Sequence, residues 1–270
     1  MSTSTNSATT YTTPFVVEQF PCLNDNYGYL IHDSVTGDTA AVDTPDAKAY
    51  HAMLQQKGWS LTHILNTHHH WDHTGGNTEL CQLYPNCQVY GPESEKIPNR
   101  HVGLKEGDTV AFGESSSAWK VMDVGGHTVG HIAFYNDNMA FVGDALFALG
   151  CGRMFEGKPP QFWKSLTKLR SALSDDTLIY CAHEYTMSNA KFALSVEPQN
   201  EQLVERVKEI EALRANNQPT VPSTMGIEKA TNPFLRCDIS PEIQGNVGFA
   251  TAPTDFSEVF AKVRAAKDNF

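Results

Sequence analysis

The sequence lacks the features that mark membrane, secreted or nucleic-acid-binding proteins. It has no apolar run near the roughly 20 residues that span a bilayer, and residues 1–13 (MSTSTNSATTYTT) contain neither a secretion core nor the arginines of a transit peptide. The six cysteines form no CxxC pair, which favours reduced thiols over a disulfide framework. A net charge of −11 argues against nucleic acid or an anionic membrane as partner. We therefore expect a soluble, cytoplasmic protein in which residues 1–13 form a disordered tail.

Short apolar runs separated by turn signals fill the first part of the chain and predict strands. Helical stretches interrupt them at 47–56, 77–84 and 161–172. Towards the C-terminus, helix-forming segments replace the apolar runs. We therefore expect two domains, a two-sheet α/β sandwich with outer helices over 14–185 and a smaller helical domain over 186–270.

The segment THHHWDH concentrates four histidines and one aspartate within six consecutive positions. In extended backbone, side chains alternate sides with period two, so His68 and His70 can point into one site while His69 points away as a spacer. Asp72 and His73 follow where the strand end turns towards a helix. Imidazoles and a carboxylate at these offsets suit a borderline cation such as zinc, iron or manganese.

Three further polar residues stand at the ends of predicted strands. His127 follows a strand and two glycines in DVGGHTVGHI, Asp144 ends MAFVGD, and His183 follows LIYCA. We expect all three at the same edge as the histidine cluster. His131 is the rival of His127, but it opens the next strand, so we assign it a supporting or core position.

Together these motifs resemble the metallo-β-lactamase superfamily and, within it, the glyoxalase II (hydroxyacylglutathione hydrolase) family. The resemblance rests on THHHWDH, GGHTVGH, FVGDALFALGCGRMFEG and CAHEYTMSNAKFALSVEP, and it extends from about residue 15 to Phe270. HxHxDH alone is typical of the whole superfamily, whereas the GCGRxFEG and HEYT segments are far more specific. The resemblance implies an α/β fold, the metallo-β-lactamase-type αββα sandwich with a smaller C-terminal helical domain.

The resemblance also implies a binuclear centre with two divalent metal ions per chain. Zinc is expected, and iron or manganese also suits these ligands. The ligands implied are His68, His70 and His127 for one ion, Asp72, His73 and His183 for the second, and Asp144 as a bridge between them. Asp72 would in addition be catalytic, because its carboxylate would orient the attacking water.

The C-terminal segment DFSEVFAKVRAAKDNF predicts an amphipathic helix that carries two cations. At 100° per residue, Lys267 falls within the apolar face and Arg264 at its edge, and that face comprises Phe256, Val259, Phe260, Val263 and Phe270. An inward lysine needs a counter-charge. The alternative is a frayed terminus with solvated cations.

In the family that this chain resembles, such cations bind the glycine carboxylate of glutathione. The resemblance assigns the same task to Arg153 in the GCGR segment and to Tyr185 in HEYT. Phe155 lies at a position where some relatives have tyrosine, so its contact with the substrate would lack a hydroxyl group. The substrate contacts implied are therefore Arg153, Phe155, Tyr185, Arg264 and Lys267.

The function that the resemblance implies is hydrolysis of S-(R)-lactoylglutathione to glutathione and D-lactate, a step of methylglyoxal detoxification. We expect the protein to be a monomer. The residues agree with this hydrolysis, because a thiol of pKa about 8.5 leaves without a proton donor and no obvious acid stands outside the ligand set. The alternative is an iron-dependent sulfur dioxygenase acting on glutathione persulfide. Such enzymes share HxHxDH but usually lack the long C-terminal helical region.

The alternation of the three adjacent histidines generates a first prediction. His69→Ala should retain most of the bound metal and activity, whereas His68→Ala or His70→Ala should lose both. Metal content per chain and thioester hydrolysis are the measurements. Equal damage from all three substitutions would show that the alternation does not hold.

Overall fold

The computed structural model describes residues 15–113, 118–251 and 253–270. In these residues two β-sheets face each other, and helices cover both outer faces. This arrangement confirms the αββα sandwich expected from the sequence. The predicted tail, 1–13, lies outside the described residues.

The first sheet is mixed. As far as the chain is described, it has six strands in sequential order, with β1, β2 and β3 antiparallel and the rest parallel. The strands are β1 (Phe15–Cys22), β2 (Asn26–Asp33), β3 (Thr39–Val42), β4 (His63–Leu65), β5 (Gln88–Pro92) and β6 (Val102–Leu104).

The second sheet also has six strands in the described residues, in the order β14-β13-β10-β9-β8-β7. Its strands are β7 (Thr109–Val110), β8 (Trp119–Asp123), β9 (Ile132–Tyr135), β10 (Met139–Gly143), β13 (Leu178–Cys181) and β14 (Ser223–Thr224). A separate hairpin comprises β11 (Leu146–Phe147) and β12 (Gly150–Cys151). Because β10 and β13 are parallel, their carboxyl ends lie at the same edge.

Two helices, α1 (Ala47–Lys57) and α3 (Asn77–Leu83), cover the outer face of the first sheet. The remaining helices are α2 (Trp71–Thr74), α4 (Pro159–Ala172), α5 (Thr186–Val196), α6 (Glu201–Ala215), α7 (Met225–Thr231), α8 (Pro241–Asn246) and α9 (Phe256–Asp268), with a short 3₁₀ helix at Pro233–Leu235. No helix in the described residues is both long and apolar enough to cross a bilayer.

Strand periodicity distributes neighbouring residues between different hydrophobic clusters. In β2, Tyr29 and Ile31 enter the cluster between the two sheets, whereas Leu30 packs beneath α1 and α3. Because the side chains alternate with a period of two, a continuous apolar run such as that of β2 is buried on both faces of the sheet.

The region after residue 185 is not purely helical. Its strand β14 extends the second sheet, where Ser223 pairs with Ile179 of β13. Phe260 of α9 also packs against Phe162 of α4 in the same cluster. The domain boundary near residue 185 remains a prediction, and residues on both sides of it bury their apolar surface together.

This shared cluster predicts a large stability loss for Phe260→Ala. The Phe260 side chain is fully buried, with ring centroids 5.5 Å from Phe162 and 6.2 Å from Phe234. Its removal leaves a cavity and should lower the free energy of unfolding by about 3–5 kcal/mol. Urea denaturation measures this loss, with Val204→Ala, at an exposed position of α6, as the control. A loss below about 1 kcal/mol would contradict the shared core.

Candidate metal centre

The structure brings all seven predicted ligands together. His68 and His70 lie in the loop after β4, and Asp72 and His73 lie in the short helix α2. Of the other three, His127 follows β8, Asp144 follows β10 and His183 follows β13. Distant parts of the chain thus meet because their strands end at one edge of the sandwich.

The backbone of the THHHWDH segment differs from the extended path expected. Helix α3 begins at Asn77 as expected, but an additional short helix, α2, begins at Trp71, directly after His70. The His73 amide donates to the His70 carbonyl, which closes the first turn. Because adjacent residues of a helix are rotated by about 100° rather than 180°, Asp72 and His73 can face the same centre.

The first ligand group contains three imidazoles. Nε2 of His68 and Nε2 of His127 each lie 3.0 Å from Nδ1 of His70. Oδ2 of Asp144 lies 3.4 Å from Nε2 of His127. We call His68, His70 and His127 the first triad.

The second ligand group lies on the other side of Asp144. Oδ1 of Asp144 lies 3.4 Å from Nε2 of both His73 and His183. Oδ2 of Asp72 lies 3.6 Å from Nε2 of His73 and 3.4 Å from Nε2 of His183. We call Asp72, His73 and His183 the second triad. Asp144 therefore turns one carboxylate oxygen towards each triad.

These residues fit a pair of cations. Ligand atoms about 2.0–2.1 Å from a tetrahedral ion lie about 3.3 Å from one another, close to the separations observed here. In the described structure, Nε2 of His73 and Oδ1 of Asp144 are buried without a hydrogen-bond partner. Buried polar atoms are rarely left unsatisfied, and a cation between them would satisfy both.

The outward ring nitrogens of the second triad are held by carboxylates that the sequence analysis missed. Nδ1 of His73 donates to Asp43 at 2.8 Å, and Nδ1 of His183 donates to Asp25 at 3.0 Å. These bonds leave Nε2 of each ring free to face the centre. The sequence could have identified Asp43, because it directly follows strand β3 just as Asp144 directly follows β10.

His127 and Asp144 each make a hydrogen bond that involves a backbone group. Nδ1 of His127 donates to the carbonyl of Arg153 at 2.8 Å. Nε2 of His131 accepts the Asp144 amide at 3.1 Å, so His131 contacts the backbone of Asp144 and belongs to neither triad. Gly143 has a φ of 50°, and a Cβ there would lie 2.5 Å from Thr67 Oγ1. Only glycine fits at this approach to Asp144.

The two triads differ in their affinity for protons. Burial lowers the pKa of His68 well below its ordinary value, and burial also lowers the pKa values of His70 and His127. Burial acts in the same direction on His73, but Asp144 and Asp43 outweigh it and raise its pKa to about 9. The first triad therefore offers neutral imidazoles, whereas a cation entering the second must displace a proton.

Asp72 is ionised at neutral pH. Burial raises the pKa of its carboxyl group, but the hydrogen bond to His183 and the charge of His73 together hold the pKa well below the usual range. The amide of Asn26 also donates to Oδ2 of Asp72 at 3.3 Å. The carboxylate is therefore a hydrogen-bond acceptor at the centre.

A cavity of about 560 Å³ opens beside the first triad, where His127 and Asp144 form part of its wall. The ring of Phe155 is 64% exposed and lies 5.3 Å from the ring of His127. Tyr185 stacks on His183 at 4.7 Å. Arg153 also lines the cavity, as do Arg264 and Lys267, so all five residues predicted to contact the substrate lie in its wall.

The burial of the two cations of helix α9 differs from what its helical periodicity predicts. Arg264, expected at the edge, is only 4% exposed, whereas Lys267, expected within the face, is half-buried. Arg264 donates to the carbonyl of Cys151 at 2.7 Å and to Asp268 at 3.0 Å, which compensates for its burial. Phe270 is 64% exposed because α9 ends at Asp268, so helical periodicity no longer applies to it.

Lys267 retains a charge that no described carboxylate pairs with. Its ammonium donates to the carbonyl and hydroxyl oxygens of Ser188 at 3.1 and 3.0 Å. Burial lowers its pKa, and the nearby Arg264 and Arg153 lower it further. The lining of the cavity therefore combines the three cations Arg153, Arg264 and Lys267 with two acids, Asp144 and Asp268.

Two family models match consecutive parts of this chain. The model of the metallo-beta-lactamase superfamily matches residues 42–183, and that of the hydroxyacylglutathione hydrolase C-terminus matches residues 184–270. A hydroxyacylglutathione hydrolase from Maricaulis maris is 48% identical over 94% of this chain and 98% of its own length. Another from Erythrobacter litoralis is 49% identical over 94% of this chain and 99% of its own length.

Solved structures with lower sequence identity share the fold. ETHE1 from Myxococcus xanthus matches with a TM-score of 0.65 and 24% identity, covering 93% of this chain and 98% of that one. A metallo-beta-lactamase from Staphylococcus aureus matches with a TM-score of 0.62 and 22% identity, covering 94% and 71%. At these identities the likeness concerns the fold alone.

The position of Asp144 predicts that its removal affects both triads. Asp144→Ala should abolish tight binding of two zinc ions, because each triad loses an oxygen, whereas His183→Ala should mainly weaken one ion. Zinc content after gel filtration measures the effect, with the exposed Asp176→Ala as control. Tight retention of two ions by Asp144→Ala would contradict the bridging geometry.

Proposed function

This chain belongs to the hydroxyacylglutathione hydrolase family of the metallo-beta-lactamase superfamily, and on that premise we propose how its residues cleave a glutathione thioester. The substrate is S-(R)-lactoylglutathione, and the products are glutathione and D-lactate, as in methylglyoxal detoxification. One observation carries the assignment. A single cavity joins the ligand cluster at Asp144 to the cations of Arg153 and Lys267.

We assign two divalent cations to the centre, with zinc the first choice and iron or manganese the alternatives. The first triad with Oδ2 of Asp144 would hold one, and the second triad with Oδ1 would hold the other. When bound, such a pair lowers the pKa of a shared water and polarises a substrate carbonyl. Imidazole and carboxylate ligands suit all three metals.

Asp72 is the catalytic carboxylate of this proposal. Its low pKa keeps it ionised, and its side chain is partly exposed at the centre. It can therefore accept a hydrogen bond from the attacking water and orient one lone pair of that water towards the thioester carbonyl. Asn26 limits the rotation of the carboxylate through its own hydrogen bond.

The leaving group agrees with the residues around the cavity. A glutathione thiolate has a conjugate acid of pKa about 8.5, so the C–S bond can break without a proton donor. An amide substrate would need such a donor at its nitrogen. Burial raises the pKa of Tyr185, so its hydroxyl stays protonated and can donate a hydrogen bond to the substrate.

The anionic substrate explains the local positive charge in a protein of net charge −11. Lys267 and Arg153 face the cavity and would bind the glycine carboxylate of glutathione, with Tyr185 beside them. Phe155 would contribute an apolar contact near the first triad. Arg264 lies in the same wall, but its bonds to backbone carbonyls make support of the Cys151–Gly152 segment its main contribution.

The sulfur dioxygenase alternative has less support. The relatives that are 48% and 49% identical to this chain over nearly their whole length are hydroxyacylglutathione hydrolases. The likeness to ETHE1 concerns the fold alone. A cytoplasmic location agrees with six unpaired cysteines, five of them buried, and the monomeric state stays a prediction.

A direct assay tests the proposed function. Loss of the thioester of S-(R)-lactoylglutathione should proceed with the zinc-loaded protein, and a chelator should abolish it. The same preparation should consume no oxygen with glutathione persulfide. Oxygen consumption without thioester hydrolysis would instead establish the dioxygenase activity.

The cations of α9 generate a prediction about substrate binding. Lys267→Ala should lower kcat/KM for the glutathione thioester by roughly ten- to a hundred-fold, because a charge-assisted hydrogen bond contributes about 1.5–3 kcal/mol. The loss should lie mainly in KM, since the carboxylate contact does not change during the reaction. Added salt should narrow the difference from wild type.

The control is Lys262→Ala, an exposed position on the same helix. It should leave kcat/KM unchanged. A thioester without the glycine carboxylate should be hydrolysed equally by wild type and Lys267→Ala. Unchanged kcat/KM for Lys267→Ala with the glutathione thioester would place the glutathione site elsewhere.

A further inference from the structure

Glu95 is a buried carboxylate beside the metal centre that belongs to neither triad. It lies in the loop that follows β5, and its side chain is almost inaccessible to solvent. None of the described lysines or arginines forms an ion pair with its carboxylate, and the ring of His69 lies beside it. Burying such a group is costly unless hydrogen bonds compensate.

One oxygen of Glu95 holds the segment that carries His68 and His70. Oε2 accepts the backbone amide of His69 at 2.7 Å and lies 2.9 Å from Nδ1 of the His69 ring. Glu95 therefore holds both the backbone and the ring of the residue between His68 and His70.

The other oxygen of Glu95 holds the segment that carries His127. Oε1 accepts the hydroxyl of Thr128 at 2.5 Å and the backbone amide of Gly130 at 2.9 Å. A Cβ at Gly130 would lie 2.1 Å from Ser94 Oγ and 2.8 Å from Glu95 Cγ, so glycine permits this approach. One side chain thus links the two loops that together supply the first triad.

A second glutamate spans the same two loops from the solvent side. Glu156 accepts the Val129 amide at 3.0 Å, and its other oxygen lies 3.3 Å from Nε2 of His69. Because Glu156 is exposed, water competes for these bonds, and the contribution of Glu95 is expected to be larger.

The pattern of donors requires a carboxylate at position 95. Each oxygen of Glu95 accepts a backbone N–H, one from His69 and one from Gly130. Glutamine has the same size, but its NH₂ group would face one of these amides and leave it unsatisfied. In Glu95→Gln one buried hydrogen bond would therefore be lost and two N–H donors would face each other, which is costly.

We propose that Glu95 is a positioning residue that fixes the distance between the His68–His70 loop and His127 and thereby sets the metal affinity of the first triad. His69 takes part through its backbone amide and its ring Nδ1, which both contact Oε2 of Glu95. The proposal rests on the binuclear centre proposed above. The second triad depends instead on Asp43 and Asp25 and should respond little.

Zinc titration of Glu95→Gln against a chelating competitor tests this role. One zinc equivalent should bind about 10- to 100-fold more weakly than in wild type, as for other groups that orient metal ligands. The second equivalent should bind as in wild type. In the metal-stripped protein, the amides of His69 and Gly130 should also exchange hydrogen faster, and Glu93→Gln, exposed on the same loop, should change none of these values.

A merely structural role would lower the unfolding midpoint and leave both zinc affinities as in wild type, and that result would overturn the proposal. Thr128→Val offers a milder test if Glu95→Gln fails to fold, because it removes a single donor and should weaken the same equivalent to a smaller extent. Unchanged zinc binding in Thr128→Val with unchanged amide exchange would also overturn the proposal. Failure of wild type to bind two ions would instead refute the binuclear centre itself.

Discussion

The rest of the site depends on the position of the Asp144 carboxylate between the two triads. Its two oxygens face two different triads, so both groups of imidazoles must converge on one residue. Such convergence is possible because the loops after β4, β8, β10 and β13 lie at one edge of the sandwich. Gly143 permits the close approach that this requires, since any side chain there would collide with Thr67.

Acidic side chains around the centre hold its histidines from outside. Asp43 and Asp25 fix the rings of the second triad, and Glu95 connects the two loops of the first. Ring orientation, proton affinity and cation affinity are therefore linked. The same carboxylates that raise the pKa of His73 also prepare its Nε2 for a cation, which must compete with a proton there.

The sequence predicted the sandwich and the ligand cluster because both depend on local patterns, namely period-two strands and polar residues at strand ends. It could not predict that Arg264 is buried, since two of the acceptors that compensate for its burial are backbone carbonyls more than a hundred residues away. Nor could it identify Glu95, which is separated from His69 by 26 positions and belongs to no motif. Short polar contacts between loops leave no periodic trace, so only the folded chain reveals them.

One zinc titration tests the proposal that two cations held about Asp144 make this chain a glutathione thioester hydrolase. Metal-stripped protein should be titrated with zinc while the hydrolysis rate of S-(R)-lactoylglutathione and the bound zinc are followed together. We expect negligible hydrolysis without zinc and a rate that reaches its plateau at two bound equivalents per chain. Hydrolysis of the thioester at the full rate by the stripped protein, with no zinc bound, would refute the proposal.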